Sequence, residues 1–68
     1  MRISILLNGQ QHDVPDELTI DRLLDEFSLP KQRVAIERND VVIRRVDWTK
    51  TNVSDGDKIE VVHFVGGG

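Results

Sequence analysis

Hydrophobic and polar residues alternate with period two from Arg2 to Asn8 (RISILLN). Ile3, Ile5 and Leu7 fall on one face, and Ser4, Leu6 and Asn8 on the other, as in a half-buried strand. Asn8-Gly9 supplies the positive φ angles of a two-residue hairpin turn, and a second short strand runs through Val14 until Pro15 stops it. The period then changes. After Thr19, a good N-cap, Ile20, Leu23, Leu24 and Phe27 recur at i, i+3, i+4 and i+7, one apolar stripe on a helix over Thr19 to Phe27. Asp21 sits in the first turn, where the helix dipole favours negative charge, and Leu29-Pro30 ends the helix.

Period two resumes at Val34 to Glu37 (VAIE), breaks at Arg38-Asn39-Asp40 and returns at Val41 to Ile43, which predicts a second hairpin. Arg44 to Val53 is irregular, and Ser54-Asp55-Gly56-Asp57 reads as a turn. The longest strand, Ile59 to Val65, springs from it. Two hairpins around one amphipathic helix predict a two-layer α+β domain with a mixed sheet of about five strands and the helix across one face. The first and last strands lie parallel and central, joined by a long crossover that includes the helix. That arrangement is the β-grasp. Ile3, Ile5, Leu7, Val34, Ile36, Ile59 and Val61 form its inward sheet face. The domain is expected over residues 1–65, followed by a flexible glycine tail over 66–68.

Size and composition narrow the function. A 68-residue chain buries only about 60% of its unfolded surface and can hardly wall a catalytic cleft, which favours a binding or carrier module. No nucleophile motif with a base partner is present, so no catalytic residue is assigned. Nine Lys and Arg against twelve Asp and Glu give a net charge of -3, and no basic run marks a nucleic-acid surface. The apolar runs are far too short to span a membrane. Without cysteine, neither disulfides nor a thiolate zinc site can form. No secretory segment precedes the first strand, and both features point to the cytoplasm.

His12 and His63 lack a second ligand at metal spacing, and Asp55 and Asp57 lack the acidic repeat of a calcium loop. No metal site is assigned. Trp48 reads as packing beneath a loop, its indole N–H requiring a partner. Arg38, Arg44 and Arg45 are candidates for a basic patch facing an acidic partner. On the outward side of the last strand, Val62 and Phe64, with Leu6 on the neighbouring strand, form a candidate partner-binding patch directly behind the tail.

The segments VAIERN, RVDW (Arg45 to Trp48), DGDKIEVV and the final VGGG, with the helix start from Thr19 to Leu24, resemble in order and spacing the ThiS family, the small sulfur carriers of thiamine biosynthesis. The match covers nearly the whole chain. One departure is Arg44, at a position where the family often has proline, which affects the loop path there.

The resemblance implies a carrier that binds no cofactor itself. A ubiquitin-activating-type adenylyltransferase would use ATP and magnesium to adenylate the carboxylate of Gly68. Sulfur from a donor protein would replace AMP to give a thiocarboxylate, and thiazole synthase would take that sulfur for the thiazole ring. Gly66 and Gly67 would be the delivering arm. Three extended residues reach roughly 10 Å, and without Cβ atoms they enter a narrow channel. The small subunit of molybdopterin synthase, which shares the fold and the diglycine thiocarboxylate, and a ubiquitin-like protein modifier are the competing readings.

Overall fold

The computed structural model describes residues 1–64. Val65, at the end of the expected last strand, and the expected tail over 66–68 lie outside the described residues, as does the boundary between domain and tail. The elements in chain order are β1 (Arg2–Leu7), β2 (Gln10–Pro15), α1 (Ile20–Glu26), β3 (Val34–Arg38), β4 (Val41–Ile43), a 3-10 turn (Arg45–Asp47) and β5 (Lys58–His63). The sheet order is β2-β1-β5-β3-β4. β1 and β5 are parallel and central, and all other pairs are antiparallel. With one helix across the inner face, this is the β-grasp.

Local chemistry sets each boundary. Asn8 (φ 50°) and Gly9 (φ 82°) make the first hairpin turn, and Asn39 (φ 51°) and Asp40 (φ 69°) make the second. Both dipeptides have the two positive φ angles of a type I′ turn. Thr19 is the N-cap of α1, its Oγ1 accepting from the Arg22 N–H at 3.2 Å. The helix stops before the expected proline: Ser28 takes φ 53°, and the Leu29 N–H donates to the Leu24 carbonyl at 2.8 Å. A left-handed residue just past the helix thus ends it. β5 begins one residue earlier than its pattern predicts, at Lys58, and its strand geometry ends at His63.

The helix stripe lands where its spacing places it. Ile20, Leu23 and Leu24 are fully buried against Ile5, Leu7, Val14, Val34, Ile36 and Ile59, with Ile3, Phe27 and Val61 packed at the margin. Trp48 and Val53 close the core from the segment before β5. The irregular stretch is tied down by its backbone: the Ile20 N–H donates to the Thr51 carbonyl at 2.9 Å and the Val53 N–H to the Leu18 carbonyl at 2.8 Å. The Trp48 indole N–H donates to the Ile43 carbonyl at 3.1 Å, the partner its burial requires.

Asp57, 5% exposed, is the buried charged residue among those described. Its Oδ2 accepts from the Ser54 N–H at 2.7 Å and lies 3.0 Å from Arg38 Nε. Its Oδ1 accepts from Asn39 Nδ2 at 3.1 Å. The sequence presents this residue as a turn former, and the fold makes it a junction between the turn and the second hairpin.

Replacing Leu23 with Ala should destabilise the domain by about 2 to 5 kcal/mol. Asp57→Ala strands two donors and an arginine. We expect a cost of about 3 kcal/mol, at the low end for a broken buried ion pair, because Arg38 keeps access to water. Denaturant midpoints measure both. An unchanged midpoint for Leu23→Ala would contradict the helix packing, and one for Asp57→Ala would contradict the junction.

Candidate functional site

The β-alternation that buries Ile59 and half-buries Val61 turns Lys58, Glu60 and Val62 to the outer sheet face, away from α1. Val62 is 43% exposed and Phe64, just past the strand, 59% exposed. Val62 lies opposite Ala35 of β3. Phe64 is held beside Arg33, its N–H donating to the Arg33 carbonyl at 2.8 Å. Val62 and Phe64 therefore form an apolar patch on the outer face where the chain leaves the sheet.

Leu6 shares that face and is 40% exposed, but the register separates it from the patch. Leu6 pairs with Lys58, four residues before Val62, which is about 13 Å along the strand. Alternation fixes which face a residue occupies and leaves its height along the sheet open. Of the outward residues singled out from the sequence, the fold brings Val62 and Phe64 together and leaves Leu6 at the opposite end. Gly66, Gly67 and Gly68 lie outside the described residues.

The basic residues also part company. Arg38 is bound to Asp57. Arg45 stacks over Trp48, its guanidinium carbon 4.3 Å from the ring centroid, and donates to the Lys31 carbonyl. Arg38 is thus neutralised by a carboxylate, while Arg45 is held in place by the ring and the carbonyl and keeps its charge. Arg44 and Arg33 are exposed and, among the described residues, form no salt bridge. Both border the patch. Arg44 follows Ile43, which pairs with Ile36, so the register carried one residue on sets it beside Ala35, with β3 between it and Val62. Arg33, which the sequence reading passed over, carries φ 58° at the entrance to β3.

The outer face is acidic farther back. One carboxylate oxygen each from Glu37, Asp40 and Glu60 lies within 4.8 Å of the others. The Lys58 ammonium sits 2.8 Å from Asp40 Oδ1, and its hydrogen bond to Asp40, with the nearby carboxylates, raises its pKa above the usual lysine value. The cluster thus carries its own counter-cation. From the segment after α1, Lys31 reaches back to Asp25 at 2.8 Å and Asp21 at 3.2 Å on the helix, and its pKa is raised chiefly by the Asp25 hydrogen bond. His12 packs on Phe27 with ring centroids 4.7 Å apart, a packing role. Among the described residues no pocket opens, and no helix is long and apolar enough to cross a membrane. The candidate site is a surface: an apolar pair rimmed by two arginines at the exit of the central strand.

A five-stranded mixed sheet with this order and one helix across it places the chain among ubiquitin-like β-grasp proteins. Its likeness to known proteins is closer than fold alone. The chain belongs to the ThiS family, whose family profile matches residues 5–68. The crystal structure of the thiamine biosynthesis protein ThiS from Geobacter metallireducens superposes with a TM-score of 0.86 at 30% identity, covering 97% of this chain and all of that one. The sulfur carrier protein ThiS of Bacillus subtilis is 42% identical over 53 residues, 78% of this chain and 80% of that protein. Thiazole synthase of Magnetococcus marinus is 38% identical over 66 residues, 97% of this chain. The thiazole synthase of Paramagnetospirillum magneticum is 33% identical over the same share. The chain spans 20% of the length of each of these two synthases.

Phe64→Glu removes no core contact, so its stability should stay within about 0.5 kcal/mol of wild type. A melting curve checks this. Cooperative unfolding at markedly lower temperature would mean that Phe64 belongs to the core.

Proposed function

We propose that the chain is a sulfur carrier of thiamine biosynthesis that works through the carboxylate of Gly68. The carrying observation is the ThiS-family match over residues 5–68, which includes the glycines. The G. metallireducens relative, named a thiamine biosynthesis protein, favours thiamine over the pterin pathway.

At neutral pH a free α-carboxyl, with pKa about 3.3 to 3.7, is an anion and a poor electrophile. In the proposed cycle an adenylyltransferase brings ATP and magnesium. A Gly68 carboxylate oxygen attacks the α-phosphorus, pyrophosphate leaves, and an acyl adenylate forms. A sulfur nucleophile from a donor protein then attacks the carbonyl carbon and AMP departs with the bridging oxygen. With the outer sulfur of a donor persulfide as that nucleophile, a thiol then attacks the donor's inner sulfur, forming a disulfide there and leaving the terminus as a thiocarboxylate, from which thiazole synthase takes the sulfur. The chain supplies no catalytic group and binds no cofactor itself. It presents the reacting atom on an arm, Gly66 and Gly67, that offers no Cβ to obstruct a channel or shield the carbonyl.

Ordering such an arm costs about 1 to 2 kcal/mol per residue in backbone entropy, so docking of the folded part has to offset it. Val62 and Phe64 provide apolar area for that purpose, Arg33 and Arg44 offer charge to an acidic partner rim, and Leu6 marks the far margin of the same face. In this reading the carrier acts in the cytoplasm.

Incubation with the adenylyltransferase, ATP and a sulfur source should replace one oxygen by sulfur at the terminus, read by intact mass. Deleting Gly68 draws the carboxylate back by about 3.3 to 3.6 Å. Reacting atoms must approach to about 3 to 3.5 Å, so the shortened chain should fold normally and gain no sulfur. Phe64→Glu should slow ATP–pyrophosphate exchange. A wild type that gains no sulfur, or a shortened chain that gains it equally, contradicts the mechanism.

A further inference from the structure

β5 outlasts its parallel neighbour. The Leu6 N–H donates to the Asp57 carbonyl and the Asn8 N–H to the Ile59 carbonyl, both at 2.9 Å, so odd-numbered residues of β5 turn their backbone groups toward β1. On the other side the Asn39 N–H donates to the Lys58 carbonyl and the Phe64 N–H to the Arg33 carbonyl, both at 2.8 Å. Even-numbered positions therefore face β3. His63 stands opposite Val34 as a non-hydrogen-bonded pair, with its N–H and C=O directed to the β1 side.

By that height β1 has gone. Asn8, at φ 50°, has entered the hairpin turn, and its side chain takes over from the backbone: Oδ1 accepts the Val61 N–H at 2.8 Å. The substitute reaches one residue and no farther. Among the described residues nothing accepts the His63 N–H, and His63 is exposed. A central strand thus carries a short open edge, formed by the Val61 carbonyl and the His63 N–H and carbonyl, beginning where Asn8 stops.

We propose that this edge receives an extended segment of thiazole synthase, which adds a strand to β5 beyond the Asn8-Gly9 turn. Open strand edges are templates for such pairing. The occupant is chosen on two grounds. In two relatives named thiazole synthase, a region like this whole chain is part of the same polypeptide. The edge is also continuous with the Val62 and Phe64 patch, on the strand that runs toward Gly66. Asn8 sets the register, because the Val61 N–H is already taken and the added strand has to start past it. The inference rests on the carrier reading above.

His63→Pro tests it. The His63 N–H bonds nothing within the described fold, and proline is tolerated where a strand's N–H faces solvent, so the melting curve should match wild type. Binding to purified thiazole synthase should weaken about 3- to 10-fold, the worth of one backbone hydrogen bond. His63→Ala, which keeps the N–H, should bind as wild type. Equal binding by all three proteins overturns the proposal, and so does equal weakening by Ala and Pro, which would assign the contact to the imidazole. Should the proline variant unfold, hydrogen exchange on wild type decides: the His63 amide becomes protected in the complex, and an amide that exchanges as fast bound as free overturns the edge. A wild type that gains sulfur when incubated with the adenylyltransferase, ATP and a sulfur source yet shows no such protection removes the strand addition alone. One that gains none removes the carrier reading.

Discussion

The buried carboxylate of Asp57 is the constraint on which the sheet depends. It gathers the Ser54 N–H, Asn39 Nδ2 and Arg38 Nε within 3.1 Å, while its own backbone carbonyl accepts the Leu6 N–H. One residue thereby joins the turn before β5, the β3-β4 hairpin and β1. Replacing such a group by well-packed apolar residues can be neutral, but removing one partner is costly. Its contribution is therefore best understood as register. Among the described residues β1 and β5 form ladder pairs at Leu6 with Lys58 and Leu7 with Ile59, and the Leu6 bond to the Asp57 carbonyl fixes that register where β5 begins. A slip of one residue would turn Ile59 out of the core and Val62 into it.

Fixing β5 at its start has consequences at its other end. The strand enters at a closed, charged corner, where Asp57 is enclosed and Lys58 is bound to Asp40. It leaves at an open one, where β1 has turned away and Val62, His63 and Phe64 are exposed. The core beneath the helix carries the stability, so the exit can display apolar area, and backbone groups that pair with nothing among the described residues, without weakening the fold. In the carrier reading proposed above this division has a use, because the proposed docking surface and the hydrophobic core share one strand.

Much of the architecture was legible in the chain. The stripe of Ile20, Leu23, Leu24 and Phe27 predicts the helix and its buried face, and Asn8-Gly9 predicts its hairpin. The ThiS resemblance followed from segments spread over the whole length. Three features were hidden, each for a physical reason. Leu6 reads as a neighbour of Val62 because alternation reports the face and is silent about height, and only the β1-β5 register separates them. Arg38 and Arg45 read as free surface charges because their partners, Asp57 and the Trp48 ring, are brought to them by tertiary contacts. The role of Asn8 in capping Val61 across 53 residues of sequence leaves no local trace, since the same Asn-Gly pair is fully explained by its turn.

The central claim is that the working surface is the exit end of the outer sheet face. Amide chemical shifts of the isotopically labelled chain during titration with the adenylyltransferase test it most directly. The account predicts shifts concentrated at Arg33, Ala35, Arg44, Val62, His63 and Phe64, with Asp21 to Glu26 of the helix and the Glu37, Asp40 and Lys58 corner unmoved. Shifts centred on the helix or on that acidic corner, with Val62 and Phe64 unchanged, would contradict it.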